Sequence, residues 1–232
     1  MSALYRLFLR SQLVRGRILL LGALGSLAVL LGLAVGAADG TGATDGAELV
    51  SGYGLALFVP VSVLLFASAA LGDPNEDGTL VYLWLRPVAR WKIVAAALLA
   101  ALTICLPLVV VPMAAAGALA GGADLVTGTI ASCALATVAY AGIFTWLGLR
   151  VKRALVWGLA YILIWEGFVA RAGATPSNLS VRASTRSVLG RISESPRDFV
   201  EVGVVAAVVV PLTAAALASA LAVRRLSRKD VA

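Results

Sequence analysis

The chain has 232 residues, of which 61% are hydrophobic and 13% charged, with a formal net charge of +7 and a mean hydropathy of +0.97. Soluble globular domains run at about 45–50% apolar and about 25% charged, so this composition excludes most soluble folds and points to an all-α polytopic membrane protein. The lack of any histidine removes the commonest general base and metal ligand and argues against a catalytic triad or a zinc site, while the basic surplus serves membrane topology rather than nucleic acid.

In chain order, residues 1–17 come first as a basic arm. Leu4, Leu7, Phe8 and Leu13 recur among Arg6, Arg10 and Arg17 at helical spacing, which fits an amphipathic helix in the headgroup plane or an ordinary topogenic flank. A membrane core of about 30 Å needs about 20 apolar residues of helix. Six candidate spans meet or approach that length: Ile18 to Ala38, Leu49 to Gly72, Ile93 to Ala120, Leu125 to Leu149, Ala154 to Ala170 and Val202 to Val223. The first is too long for the apolar part of a cleaved signal peptide. Pro60, Pro107, Pro112 and Pro211 fall inside spans and are expected to kink their helices. Gly121-Gly122-Ala123-Asp124 reads as a tight turn, so the third and fourth spans are expected to form a hairpin.

Six spans put both termini on one side, and most Lys and Arg fall there: the arm, Arg86 to Lys92, Arg150 to Arg153, and the tail from residue 224 to 232. The positive-inside rule then makes both termini cytoplasmic. Gly32, Gly36 and Gly40, and Gly117 with Gly121, have the four-residue spacing that lets helices approach closely. Cys105 and Cys133 sit in apolar runs and read as buried thiols. No phosphate-binding loop, metal motif or lipidation signal occurs, so no catalytic residue and no metal site is assigned and the chain is expected to bind no cofactor.

Glu166 is the ionisable residue that lies well inside an apolar run. A carboxylate there must be paired, protonated or wet, so Glu166 either reaches the outer headgroups beside Arg171 or lines a translocation path. After it, residues 171–200 form a long outer loop in which Asn178 or Ser180 fits the cap of a short helix, expected to lie flat outside the membrane.

The connection between the second and third spans, residues 73–92, is charged and amphipathic. Asp73-Pro74-Asn75 ends a helix, Glu76, Asp77 and Gly78 turn, and Thr79 to Leu85 is apolar with Tyr82 and Trp84 as interfacial anchors. Arg86-Pro87 breaks this run, and Arg90 and Lys92 bracket Trp91 at re-entry. The pattern Glu76-x-Gly78-Thr79-Leu80 followed by Pro87-Val88-Ala89-Arg90-Trp91-Lys92, together with the six-span plan and basic ends, resembles the membrane subunits of ATP-binding-cassette (ABC) transporters of the type-2 export class. The resemblance departs before Gly-Thr, where Asp73-Pro-Asn-Glu-Asp stands in place of alternating Glu and Arg.

That resemblance implies a permease of a bacterial cytoplasmic membrane that performs no catalysis itself. A separate nucleotide-binding ATPase subunit, holding ATP and Mg, would dock on a coupling segment comprising Glu76, Asp77, Gly78, Thr79, Arg86, Pro87, Arg90 and Trp91. A second permease subunit, identical or similar, would complete the membrane part, and membrane lipid is the surrounding partner. With few polar groups in the spans, the cargo is expected to be amphipathic or hydrophobic. A transporter or channel not driven by ATP, and a non-transporting scaffold, remain alternatives.

Overall fold

A computed structural model of the chain describes residues 1–38, 43–79, 88–169, 174–193, 200 and 202–228. Among these, all regular structure is helical: α1 (Ser2–Gln12), α2 (Arg15–Ala37), α3 (Thr44–Glu76), α4 (Arg90–Arg150), α5 (Ala154–Glu166), α6 (Ala174–Leu179), α7 (Val181–Ile192) and α8 (Val204–Arg228). Four of them, α2, α3, α4 and α8, are long and apolar enough to cross a membrane. Helices suit such sequences because hydrocarbon offers backbone groups no partner, so each must bond within its own segment.

The 61-residue α4 is two limbs, because Gly122 leaves the helical region at φ 77 and ψ −165. A β-carbon built on Gly117 would lie 3.0 Å from Thr129 Oγ1, whereas twelve residues along one straight helix span about 18 Å. The limbs therefore fold back on each other. Glycine at 122 permits a positive φ that a side chain would resist.

Enclosure differs among the long helices: α3 is mostly buried, whereas α2 and α8 turn most of their surface outward. α3 is wound as π-helix over Val50–Phe58 and Leu64–Ser68, on either side of the α-helical Val59–Val63 that contains Pro60. Proline lacks an N–H and its ring crowds the carbonyl four residues back; the wider π turns on both sides accommodate it. Pro107 and Pro112 sit in the first limb of α4, where the dihedrals stay helical, and Pro211 sits inside α8. The Pro112 ring occupies the notch left by Gly25, with Cγ 3.2 Å from where a β-carbon would be. About two turns along the same helix, a β-carbon on Gly32 would meet Ala116 O at 2.6 Å. The small residues of α2 thus serve contact with α4.

The main core joins Phe58 and Phe66 of α3 to Cys105, Met113, Cys133, Tyr140 and Phe144 of α4. Tyr140 and Phe144 stack at 5.5 Å, and Tyr161 of α5 meets Phe144 edge-on at 6.1 Å. Both cysteines are buried free thiols. Several hydroxyls are buried, and most bond along their own helix: Ser68 donates to Leu64 O, Thr129 to Leu125 O and Thr137 to Cys133 O. Such back-bonding lets Ser and Thr sit in an apolar interior without an interhelical partner.

A second cluster sits at one end. Leu4 and Phe8 of α1 are buried against Leu71, Ile93, Val94, Leu149, Ala222 and Leu226. Tyr5 reaches further, its hydroxyl donating to Thr103 Oγ1 at 3.1 Å. The amphipathic arm is therefore docked under the bundle, closing over the ends of α3, α4 and α8. Its opposite face, with Arg6, Leu7 and Arg10, is exposed. This basic end gathers the arm, both ends of α4 and the last turns of α8.

Two expectations shift. The fifth apolar segment forms a helix only over Ala154–Glu166, about 20 Å long at 1.5 Å per residue, and Ala170 lies outside the described residues. The helix Val181–Ile192, expected in the outer loop, is enclosed by protein: Val181, Ala183, Ser184, Thr185, Ser187 and Leu189 are buried, and it packs on α4 and α8. Leu189 fits against Gly128 of α4 at 3.2 Å from the β-carbon position, and Arg191 donates from Nη2 to Val202 O at 2.8 Å.

Candidate functional site

The last turn of α3 sits where the basic end gathers. Pro74 lies within it, the Asp77 N–H donates to Asp73 O at 2.9 Å, and Gly78 reverses the chain at φ 70. This is the ordinary glycine exit from a helix, with the left-handed residue just past the cap. The Thr79 hydroxyl closes back to Pro74 O at 3.4 Å.

Three side chains of that turn hold three other helices. Asp73 Oδ2 accepts from Arg17 Nη2 of α2 at 2.8 Å. Asn75 Nδ2 donates to Gly148 O, near the end of α4, at 3.4 Å. Glu76 Oε1 accepts from the backbone N–H of Arg153 at 2.6 Å. Arg153 stands in the left-handed region, φ 57 and ψ 50, at the cap of α5. Behind these bonds α3 and α4 are in backbone contact, because a β-carbon on Gly148 would collide with the Ser68 carbonyl. The end of α3 is therefore tied to α2, α4 and α5 together. A displacement applied there reaches all three.

The residues of the expected coupling segment divide as follows. Glu76, Asp77, Gly78 and Thr79 form the exposed rim of the turn. Arg90 and Trp91 open α4, with Trp91 54% exposed and Lys92 Nζ 5.7 Å from its ring centroid. An exposed aromatic capped by a cation suits the headgroup zone. Arg86 and Pro87, with Tyr82 and Trp84, lie outside the described residues.

Glu166 is at the end of α5 and far from this turn in its contacts. It is 3% exposed, its side chain enclosed by protein. Its carboxylate accepts four hydrogen bonds: from Ser180 Oγ at 2.5 Å, Val181 N at 3.2 Å, Arg182 N at 3.3 Å and Tyr161 Oη at 3.3 Å. Ser180 caps α7, accepting from Ala183 N at 3.1 Å while donating to Glu166. The carboxylate thus sits on the N-terminus of α7, where free N–H groups and the helix dipole favour an anion. The cap was legible in the sequence, but its partner was not, since 14 residues separate Ser180 from Glu166.

An apolar groove of about 520 Å³ runs between α2 and the first limb of α4, lined among others by Leu21, Gly25, Val29, Pro107 and Pro112. Among the described residues no group of three or more His, Cys, Asp or Glu side chains is placed to hold a metal ion.

Compared with known families, the chain matches one described as ABC-2 family transporter protein over residues 12–170. That interval covers well over half of the chain, from the end of α1 to just past Glu166. No curated protein and no solved structure matches.

Proposed function

Since the chain belongs to the ABC-2 transporter family and is therefore a multi-pass membrane permease of an ABC-type transporter, we propose that it is the membrane subunit of an ATP-driven exporter in a bacterial cytoplasmic membrane. In this reading the chain crosses six times with both termini inside, and ATP and Mg are held by separate nucleotide-binding subunits. Two permease chains, identical or similar, assemble with two such ATPases. Each ATPase bears on the rim formed by Glu76, Asp77, Gly78 and Thr79, with Arg86, Pro87, Arg90 and Trp91 completing the contact.

The observation that carries this reading is the three-way attachment of the α3 end. A rigid-body push on the rim is transmitted to α2 through Asp73–Arg17, to α4 through Asn75–Gly148 and to α5 through Glu76–Arg153. The π-wound stretches beside Pro60 give α3 a place to flex between that end and the core. The largely apolar groove between α2 and α4 supports an amphipathic or hydrophobic cargo.

Purification of the tagged chain from its native membrane, without cross-linker, is the test. Recovery of an ATPase with a phosphate-binding loop, released by charge reversal at Glu76 and Asp77 while the permease stays folded, is the expected result. Recovery of no ATPase from membranes that transport cargo, or cargo movement driven by a proton gradient alone, overturns the proposal.

A further inference from the structure

Between α1, the start of α2 and the last turn of α3 lies a polar cavity of about 260 Å³, lined by Ser11, Gln12, Arg17, Asp73, Asp77 and Thr79 among others. Gln12 is 1% exposed, and neither its amide nitrogen nor its amide oxygen has a hydrogen-bond partner. It occupies the last position of the buried stripe Leu4, Phe8, Gln12, where the two earlier members are apolar. Leucine would fit that stripe without cost, whereas a sealed, unpaired amide costs about 1–3 kcal/mol. The residue therefore calls for a partner that the described residues do not supply.

The charges around the cavity indicate the kind of partner. Arg17 is spent on Asp73, and the Asp77 carboxylate has no ion pair or hydrogen bond among the described residues. Within the cavity lining one cation stands against two carboxylates, which leaves one acid for a cationic group. The setting narrows it further. Arg17 is at the first turn of an apolar helix, and Arg6, Arg10 and Arg15 on α1 and at the start of α2 are exposed, which suits headgroup depth. Beside the cavity Leu13, Val14 and Leu19 are exposed at 50%, 49% and 72%, a surface suited to hydrocarbon. A ligand that joins an ammonium to acyl chains satisfies both sides.

We propose that this cavity binds the headgroup of an ethanolamine phospholipid. The primary ammonium pairs with Asp77 and donates to the Gln12 amide oxygen and the Thr79 hydroxyl, the Gln12 amide nitrogen donates to the lipid phosphate, and the acyl chains follow the exposed residues of α2. Choline lacks N–H donors and leaves the Gln12 amide oxygen unpaired; a glycerol headgroup brings no cation to Asp77. The proposal does not rest on the ATPase reading, and its test contains neither ATPase nor nucleotide.

The full chain is placed in nanodiscs of phosphatidylcholine alone, or with equal fractions of phosphatidylethanolamine or phosphatidylglycerol. Lipid retained after detergent extraction is counted by native mass spectrometry. About tenfold preferential retention of the ethanolamine lipid is expected, equivalent to one charge-assisted hydrogen bond. Both Gln12→Leu and Asp77→Asn abolish the preference. In phosphatidylcholine discs Gln12→Leu also raises the thermal midpoint, which excludes misfolding as the cause of its lost preference. Equal retention of all three lipids, or a preference untouched by both substitutions, overturns the proposal. So does equal protection by soluble phosphoethanolamine, which would make the site one for a free amine.

Discussion

The backbone N–H of Arg153 donates to Oε1 of Glu76 across 77 positions of sequence, and Arg153 makes this bond from a left-handed conformation. A non-glycine residue there carries strain of about 1–2 kcal/mol, held in place by the carboxylate. Glu76→Ala is expected to cost about 1 kcal/mol. Arg153→Gly removes the strain, so Glu76→Ala, which in the native chain recovers part of its cost by releasing that strain, costs more in that background. A double-mutant cycle from thermal unfolding in detergent checks this, and zero coupling would refute the link between the two residues.

The contact of α2 with α4 predicts a sharp difference between two glycines. A β-carbon on Gly32 meets the Ala116 backbone carbonyl at 2.6 Å and Cα at 2.7 Å, and backbone atoms have no rotamer by which to yield. Gly32→Leu should cost about 3 kcal/mol or prevent assembly. Gly22 has open space around its β-carbon position, so Gly22→Ala should be neutral or stabilising by up to about 1 kcal/mol through helix propensity. Thermal midpoints of both variants in one detergent separate the outcomes.

Removing the carboxylate of Glu166 leaves Val181 N, Arg182 N and the Ser180 hydroxyl without their acceptor in a buried place. Glu166→Ala is expected to destabilise by about 3 kcal/mol, and Glu166→Gln by about 2, since the amide keeps one acceptor and loses the charge that the helix N-terminus favours. Hydrogen exchange at residues 181–183 should speed up in both. Unchanged exchange and stability combined with altered cargo movement would instead favour the path-lining role.

Cys105 and Cys133 are fully buried in the main core. A membrane-permeant maleimide should leave both unmodified in the folded chain and label both after denaturation, as counted by intact mass. Rapid labelling of either thiol in the folded chain would show that the core opens or is packed differently.

What the sequence determined by itself follows from the solvent. Hydrocarbon forces the backbone to bond locally, so runs of apolar residues had to become helices, and their positions were readable without knowing any contact. Gly122 was readable as the turn of a hairpin, and Ser180 as a cap, because both act on their own neighbours. The grouping of Arg and Lys at one end of the bundle was likewise foreshadowed by their spacing. Short range was the common condition.

Tertiary structure alone decided which distant groups meet. Nothing local distinguishes Asp73, which pairs with Arg17 across 56 residues, from Asp77, which pairs with no described residue. Hydropathy extended the fifth segment to Ala170, yet the helix stops at Glu166, where the N-terminus of α7 supplies donors. The same donors draw α7 against the bundle. Burial of a polar residue depends on partners, and partners are fixed by how helices pack, so a hydropathy pattern cannot state it in advance.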